Sequence, residues 1–308
     1  MRKYTLAAVA ILGALWVVAA FPGEPAGDSE PITPVLPFER LSAGKVELGG
    51  MLFGDVRLSG DQSRSCASCH DIASNGAGSQ RRHLSPRGTP LKLNTPTLFN
   101  AAHNFRLNWS GRFRTLEEQA DASLRNPDIM NADTAEVVRR LRADRRIAEA
   151  ARRLYGRDID RAILLDALAA YERSLVTPGS RFDRWLAGDA RALTPQELRG
   201  YRTFKTAGCV SCHQGANVGG NIYQRSGIFE PAALHGVDRL RVPSLRNVAA
   251  TAPYFHDGSA TTLAQAIESM GRAQLGVELD PADVADISAF LETLTGFHDG
   301  KPVSVPGR

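Results

Sequence analysis

The chain has 308 residues, 43% of them hydrophobic and 23% charged, which excludes wholesale disorder, a collagen-like repeat and a polytopic membrane protein. Its formal charge of +4, half of it from Arg2 and Lys3, is too small and too scattered to argue for nucleic acid as a partner. As a prior, the length corresponds to about two domains of ordinary size.

Met1-Arg2-Lys3 is a short basic start, Leu6 to Ala20 is an apolar run of fifteen, and Val18-Ala19-Ala20 supplies small residues before a cut preceding Phe21. Residues 1–20 therefore read as an export signal, which places the body in the periplasm. An uncleaved anchor is the alternative, since Tyr4 to Phe21 spans eighteen residues without a charge. Pro22 to Pro37 carries five prolines and two glycines, so residues 21–37 are expected to form a flexible leader, with the folded body starting near Phe38.

The four cysteines fall into two identical patterns, Cys66-Ala67-Ser68-Cys69-His70 and Cys209-Val210-Ser211-Cys212-His213. C-x-x-C-H is the spacing at which two thiols bond to the vinyl groups of one haem and the next histidine turns its ring onto the iron, so two haem c groups are expected. A shared zinc site does not require a histidine directly after both pairs. A thioredoxin-like dithiol expects a βαβ context that is missing, and structural disulfides leave the histidines unexplained.

The elements between the motifs read as helices. Ala135 to Tyr155 is a long Arg-rich amphipathic stretch, and Ile159 to Leu175 sets Leu164, Ala167, Leu168, Tyr171 and Leu175 on one face. Thr194-Pro195-Gln196-Glu197 is a capping box that opens a helix toward the second motif. Asp280-Pro281 opens a final helix carrying Val284, Ile287, Phe290, Leu291 and Leu294, which Gly296 stops. No alternating run is convincing as a sheet, so the fold is expected to be all-α.

The chain also repeats itself. Thr95-Pro96-Thr97-Leu98-Phe99-Asn100 matches Val242-Pro243-Ser244-Leu245-Arg246-Asn247 at an offset of 147, Gly111 and Thr115-Leu116 match Gly258 and Thr262-Leu263 at the same offset, and the Cys motifs are offset by 143. Two cytochrome-c-like domains related by duplication, residues 38–180 and 181–300, are the expected architecture.

Function is sought where the halves differ. Met270 lies 57 residues after His213, and its counterpart at the 147 offset is Ser123. A thioether on the open face of the second iron would make that haem an electron-transfer centre, whereas an open or displaceable position on the first would admit an oxidant. The competing reading is a methionine filling an apolar gap. For the first haem, His83 lies thirteen residues after His70 in a Gly-, Ser- and Arg-rich loop and is a candidate displaceable ligand, with a solvated loop histidine as the alternative. His103 ranks behind it, as a hydrogen-bonded structural residue. Trp109, the counterpart of His256, is a candidate bridge for electrons between the haems, whereas Trp185 reads as packing.

These residues, with Leu52-Phe53-Gly54-Asp55-Val56-Arg57-Leu58-Ser59-Gly60, Asn94-Thr95-Pro96-Thr97-Leu98-Phe99-Asn100-Ala101, Thr115-Leu116-Glu117-Glu118-Gln119-Ala120, Tyr171-Glu172-Arg173-Ser174-Leu175 and Thr251-Ala252-Pro253-Tyr254-Phe255-His256-Asp257-Gly258, give a chain that resembles the bacterial di-haem cytochrome c peroxidase family, which includes the MauG-type enzymes. The resemblance implies a first-half peroxidatic haem and a second-half His/Met haem for electron entry. It also implies an inter-haem role for Trp109 and a calcium ion held by the Asn94 side chain and the carbonyls of Thr251 and Pro253, hard oxygen donors that suit calcium. Two departures stand out. The family's Trp-Asp-Gly-Arg is Trp109-Ser110-Gly111-Arg112 here, and its catalytic Glu falls on Ile129, leaving Asp128 one place early. Breaking a peroxide O–O bond needs a proton moved between its oxygens, which a carboxylate performs and an isoleucine cannot. Asp128 swings in, Glu117 or Glu118 substitutes, or the peroxide reaction is slow.

The first reading is a periplasmic peroxidase that takes electrons from a small cytochrome c or cupredoxin and reduces hydrogen peroxide to water. The second is a MauG-like oxidase acting on aromatic side chains of a partner protein, against whose closest version Met270 argues, because those enzymes place a tyrosine there. The third is a non-catalytic electron-transfer protein. The oligomeric state, homodimer included, is left open.

Overall fold

The computed structural model describes residues 30–230 and 239–306. The expected export signal and residues 21–29 lie outside the described residues. Among those described, the chain forms helices α1 (Ala43–Phe53), α2 (Leu116–Arg125), α3 (Thr134–Arg142), α4 (Arg145–Tyr155), α5 (Arg161–Ser174), α6 (Arg181–Leu186), α7 (Pro195–Thr206), α8 (Leu263–Met270) and α9 (Pro281–Glu292). Strand is confined to two antiparallel pairs, β1 (Tyr223–Gln224) with β2 (Leu240–Arg241), and β3 (Phe297–His298) with β4 (Lys301–Pro302). The fold is mainly helical, as the periodicity predicts, and no described helix is long and apolar enough to cross a membrane.

The helices start where side chains satisfy their first N–H groups. The Thr194–Glu197 capping box opens α7 and Asp280 caps α9 with Pro281 at its first position. The stretch Ala135–Tyr155 is not one helix, however. Asp144 accepts from the backbone N–H of Arg146 and Ile147, ending α3 and starting α4, because a short carboxylate competes locally for backbone donors.

Two cores form. One gathers Leu48, Leu52, Phe53, Val137, Leu141, Ile163, Leu164 and Leu168; the other gathers Phe182, Trp185, Tyr201, Phe204, Ile287, Phe290 and Leu294. Each is built on a close helix crossing, α1 on α5 and α7 on α9. A Cβ on Gly49 would lie 2.0 Å from the Ala167 carbonyl oxygen, and one on Gly200 would lie 1.8 Å from that of Asp286, so both crossings depend on glycine. Trp185 is buried in the second core, its ring 5.3 Å from Phe182, which makes it a packing residue.

Residues 30–37 correct the expected flexible leader. Ile32 and Val35 are 1% and 2% exposed, Gly215 N–H donates to Pro31 O, and Arg246 donates to Thr33 O. The prolines leave this segment extended, but Ile32 packs into the second core beside Phe182 and Tyr201 and Val35 is buried, which composition cannot reveal.

The repeat positions share local geometry. Asn100 and Asn247 both adopt the left-handed conformation with φ of 60°, each followed by a 3-10 turn, and both donate through Nδ2 to Thr177 Oγ1, at 2.7 and 2.9 Å. Isolated bridges Leu107–Phe113 and Tyr254–Ala260 follow, and Thr115 and Thr262 then cap α2 and α8.

Candidate active site

Both Cys-x-x-Cys-His segments fold as a 3-10 turn, Cys66–Ser68 and Cys209–Ser211, in which the histidine N–H donates back to the first cysteine's carbonyl at 3.0 Å. The four thiols are free, and burial pushes Cys66 and Cys209 up to about 12 and about 11. His70 Nδ1 faces Gly76 O, and His213 Nδ1 faces Val218 O, both at 3.2 Å. A carbonyl only accepts, so each Nδ1 carries the proton and each Nε2 lone pair is left for a metal. Burial holds both rings neutral, down to about 4. Paired free thiols beside an oriented neutral imidazole fit two covalent haem groups.

Beyond these turns the halves diverge. Met270 is the last residue of α8, half-buried, where the chain turns into the π-helical segment Gly271–Leu275. Its counterpart Ser123 faces along α2 and accepts from Gln119 at 2.9 Å. His83 packs over Gly78, where a Cβ would lie 2.4 Å from its Cε1, and its Nδ1 lies 3.0 Å from Thr95 Oγ1. His103 stacks on Phe38 at 4.5 Å and its Nε2 is buried without a partner.

The candidate acids are not equivalent. Glu118 accepts from Arg114 N–H at 2.9 Å, and its own N–H is capped by Thr115. Glu117 pairs with Arg173 at 2.6 Å. Asp128, with its side chain 47% exposed, forms an ion pair with Arg87, a residue of the same loop as His83. Ile129 packs against the first core, so the position of the family's acid is apolar in space as well as in sequence.

Trp109 sits where the halves meet. Its Nε1 donates to Asn94 O at 2.9 Å and its ring meets that of His256 edge-on at 6.1 Å, so the two repeat counterparts touch. Asn94 N–H donates to His256 O at 2.6 Å, and its Nδ2 donates to the carbonyls of Gln80 and Arg81. Asn94 is thereby brought beside the segment containing Thr251 and Pro253, and its Oδ1 accepts no hydrogen bond among the described residues.

One residue escaped the sequence reading. Glu172 is 6% exposed, and its Oε2 has no hydrogen-bond partner among the described residues. The available signal was a carboxylate at the helical spacing of Leu165, Leu168 and Ala169, within the buried stripe of α5.

Residues 43–191 match the family model for di-haem cytochrome c peroxidase, and residues 198–295 match that for cytochrome c. The cytochrome c551 peroxidase of Nitrosomonas europaea is 41% identical over 286 residues, covering 87% of this chain and 85% of that protein. The cytochrome c peroxidase of Escherichia coli is 36% identical, covering 88% of this chain and 62% of its own length. A solved MauG-like protein associated with microbial copper homeostasis superposes with a TM-score of 0.74 at 29% identity, covering 86% of this chain and 93% of that one. The chain belongs to the di-haem cytochrome c peroxidase family, an oxidoreductase of haem c that acts on peroxide.

Proposed function

We propose that the two halves divide the labour of reducing hydrogen peroxide to water, and that the division follows chiefly from Met270, whose repeat counterpart is Ser123. Residues 181–300, with Cys209, Cys212, His213 and Met270, receive electrons from a small cytochrome c or cupredoxin. Residues 38–180, with Cys66, Cys69 and His70, present the accessible position to peroxide. Bound haem supplies reversible one-electron exchange and a metal centre for peroxide, while the protein supplies the surroundings and the protons.

Trp109 lies at the contact between the halves, held by Asn94 and flanked by His256, which supports a bridging role. His83 would be a displaceable ligand to a haem held by Cys66, Cys69 and His70. Arg87 belongs to the same loop and pairs with Asp128, so a loop movement that removes His83 also strips the cation from Asp128 and leaves that carboxylate free to move a proton between the peroxide oxygens. Glu118, engaged by the Arg114 N–H, is the weaker candidate. Asn94 Oδ1 with the carbonyls of Thr251 and Pro253 offers hard oxygens to one calcium ion at this junction. Residues 1–20 direct export to the periplasm.

The test is a stopped-flow peroxide reaction of the half-reduced holoprotein. Rapid consumption of peroxide is expected, with Asp128→Ala slowed by roughly 10²–10⁴-fold, the usual contribution of a general acid–base group. A half-reduced protein inert to peroxide contradicts the reading.

A further inference from the structure

The buried stripe of α5 runs through Leu165, Leu168 and Ala169 to Glu172, so the helix delivers a carboxyl into the same apolar surroundings that hold Cys66. An isolated charge is costly there unless it is paired. The neighbouring acids all have partners: Glu117 has Arg173, Asp121 has Arg125 and Arg161, and Asp166 has Lys45 and Tyr155. Glu172 has none for Oε2.

Among the described residues, the elements packed most closely on α5 are α1, α2, α3 and the turn at Ala101–His103. α2 presents Glu117, whose charge opposes ionisation of Glu172, and α5 itself contributes Arg173, already engaged by Glu117. α1 brings Lys45 to Asp166, more than one turn away, and the arginines of α3 turn to Glu136 and to the Ile159 carbonyl. The turn at Ala101–His103 carries His103, which stacks on Phe38. The haem-attachment turn brings Cys66, whose thiol feels the Glu172 charge and which bonds the porphyrin rather than the iron.

We propose that Glu172 is the charge-compensating residue of the first half, taking a proton from solvent when an electron arrives there and returning it when the electron leaves. An oxidised iron centre carries one more positive charge than a reduced one and so favours the carboxylate; reduction removes that support. The electron comes from the donor and the proton from water, the new O–H bond forms on Glu172, and oxidation breaks it. Burial and Glu117 hold this carboxyl up at about 8, within reach of neutral pH. Glu172 therefore tunes the first half without touching peroxide.

The inference rests on the first half holding a haem at Cys66, Cys69 and His70. Its test is a spectroelectrochemical titration of the holoprotein between pH 6 and 9, alongside Glu172→Gln. The first-half potential is expected to fall with rising pH, approaching the 59 mV that a tenfold change in proton concentration gives for one electron. Glu172→Gln should flatten that slope while the second-half potential stays put. A slope that survives in Glu172→Gln overturns the inference, whereas a protein with no first-half wave contradicts the haem assignment instead. Should the variant fail to mature, the wild-type protein in weak buffer still decides: proton uptake on reduction of the first half is expected, and its absence overturns the proposal.

Discussion

Each half crosses two helices at a glycine, folds its Cys-x-x-Cys-His segment as a 3-10 turn and follows it with an asparagine held left-handed against Thr177. On this shared frame the first half carries a histidine-bearing loop, an isoleucine at the family's acid position and a tryptophan at the junction. The second half carries Met270, His256 and a buried ion pair. The frame sets the two Cys-x-x-Cys-His turns alike, and the proposed division of labour rests on the residues laid over it. Asymmetry here is a matter of side chains at equivalent positions, not of different folds.

The comparison can be broken most severely by removing one attachment turn at a time. Cys209→Ala with Cys212→Ala should leave about one haem per chain and abolish peroxide turnover driven by a reduced donor, since the entry site is gone. Cys66→Ala with Cys69→Ala should also end turnover, yet leave donor oxidation by the second half intact. Haem content and single-turnover donor oxidation check both, and equal behaviour of the two variants would erase the proposed division.

Stability separates the halves next. Arg246 and Asp183 pair at 2.7 Å with side chains 1% and 6% exposed, so Asp183→Asn leaves a buried guanidinium without its counter-charge. A loss of about 3–5 kcal/mol is expected in denaturant unfolding. The Arg87–Asp128 pair of the first half is exposed, and Arg87→Ala should cost under about 1 kcal/mol. A milder substitution is Trp109→Phe, which keeps the packing and removes the indole N–H bond to Asn94. It should slow electron passage between the halves by roughly tenfold, about 1.4 kcal/mol in barrier, read as decay of the half-reduced state after mixing with peroxide.

Much of this was legible in the sequence because it rests on local chemistry. The Thr194 capping box and the Asp280-Pro281 start mark α7 and α9, because caps act within four residues. The paired Cys-x-x-Cys-His turns and the 147-residue register named the haem half-sites and the residues to compare. What escaped depends on contacts made far along the chain. Asp144 could have sat on a helix face, and only the folded chain has it capping α4. Pro31 to Pro37 reads as a linker until the folded chain seats Ile32 in the second core and buries Val35. Asp128 looked like a stand-in acid, and its tie to Arg87 on the His83 loop shows only in three dimensions. Glu172 stands in the sequence as one letter of the Tyr171-Glu172-Arg173-Ser174-Leu175 string, and that its Oε2 has no partner among the described residues emerges only once its neighbours are paired.

The proposed inequality of the two irons is tested most directly by exchanging Met270, the side chain to which it is assigned. In Met270→Ser, which copies the first half's Ser123 into the second, electron paramagnetic resonance of the oxidised protein should show the second-half low-spin signal altered or lost and the first-half signal unmoved. Spectra identical to wild type in both signals would mean that no sulfur ligand distinguishes the two haems, and the account of one entry site and one peroxide site would fail.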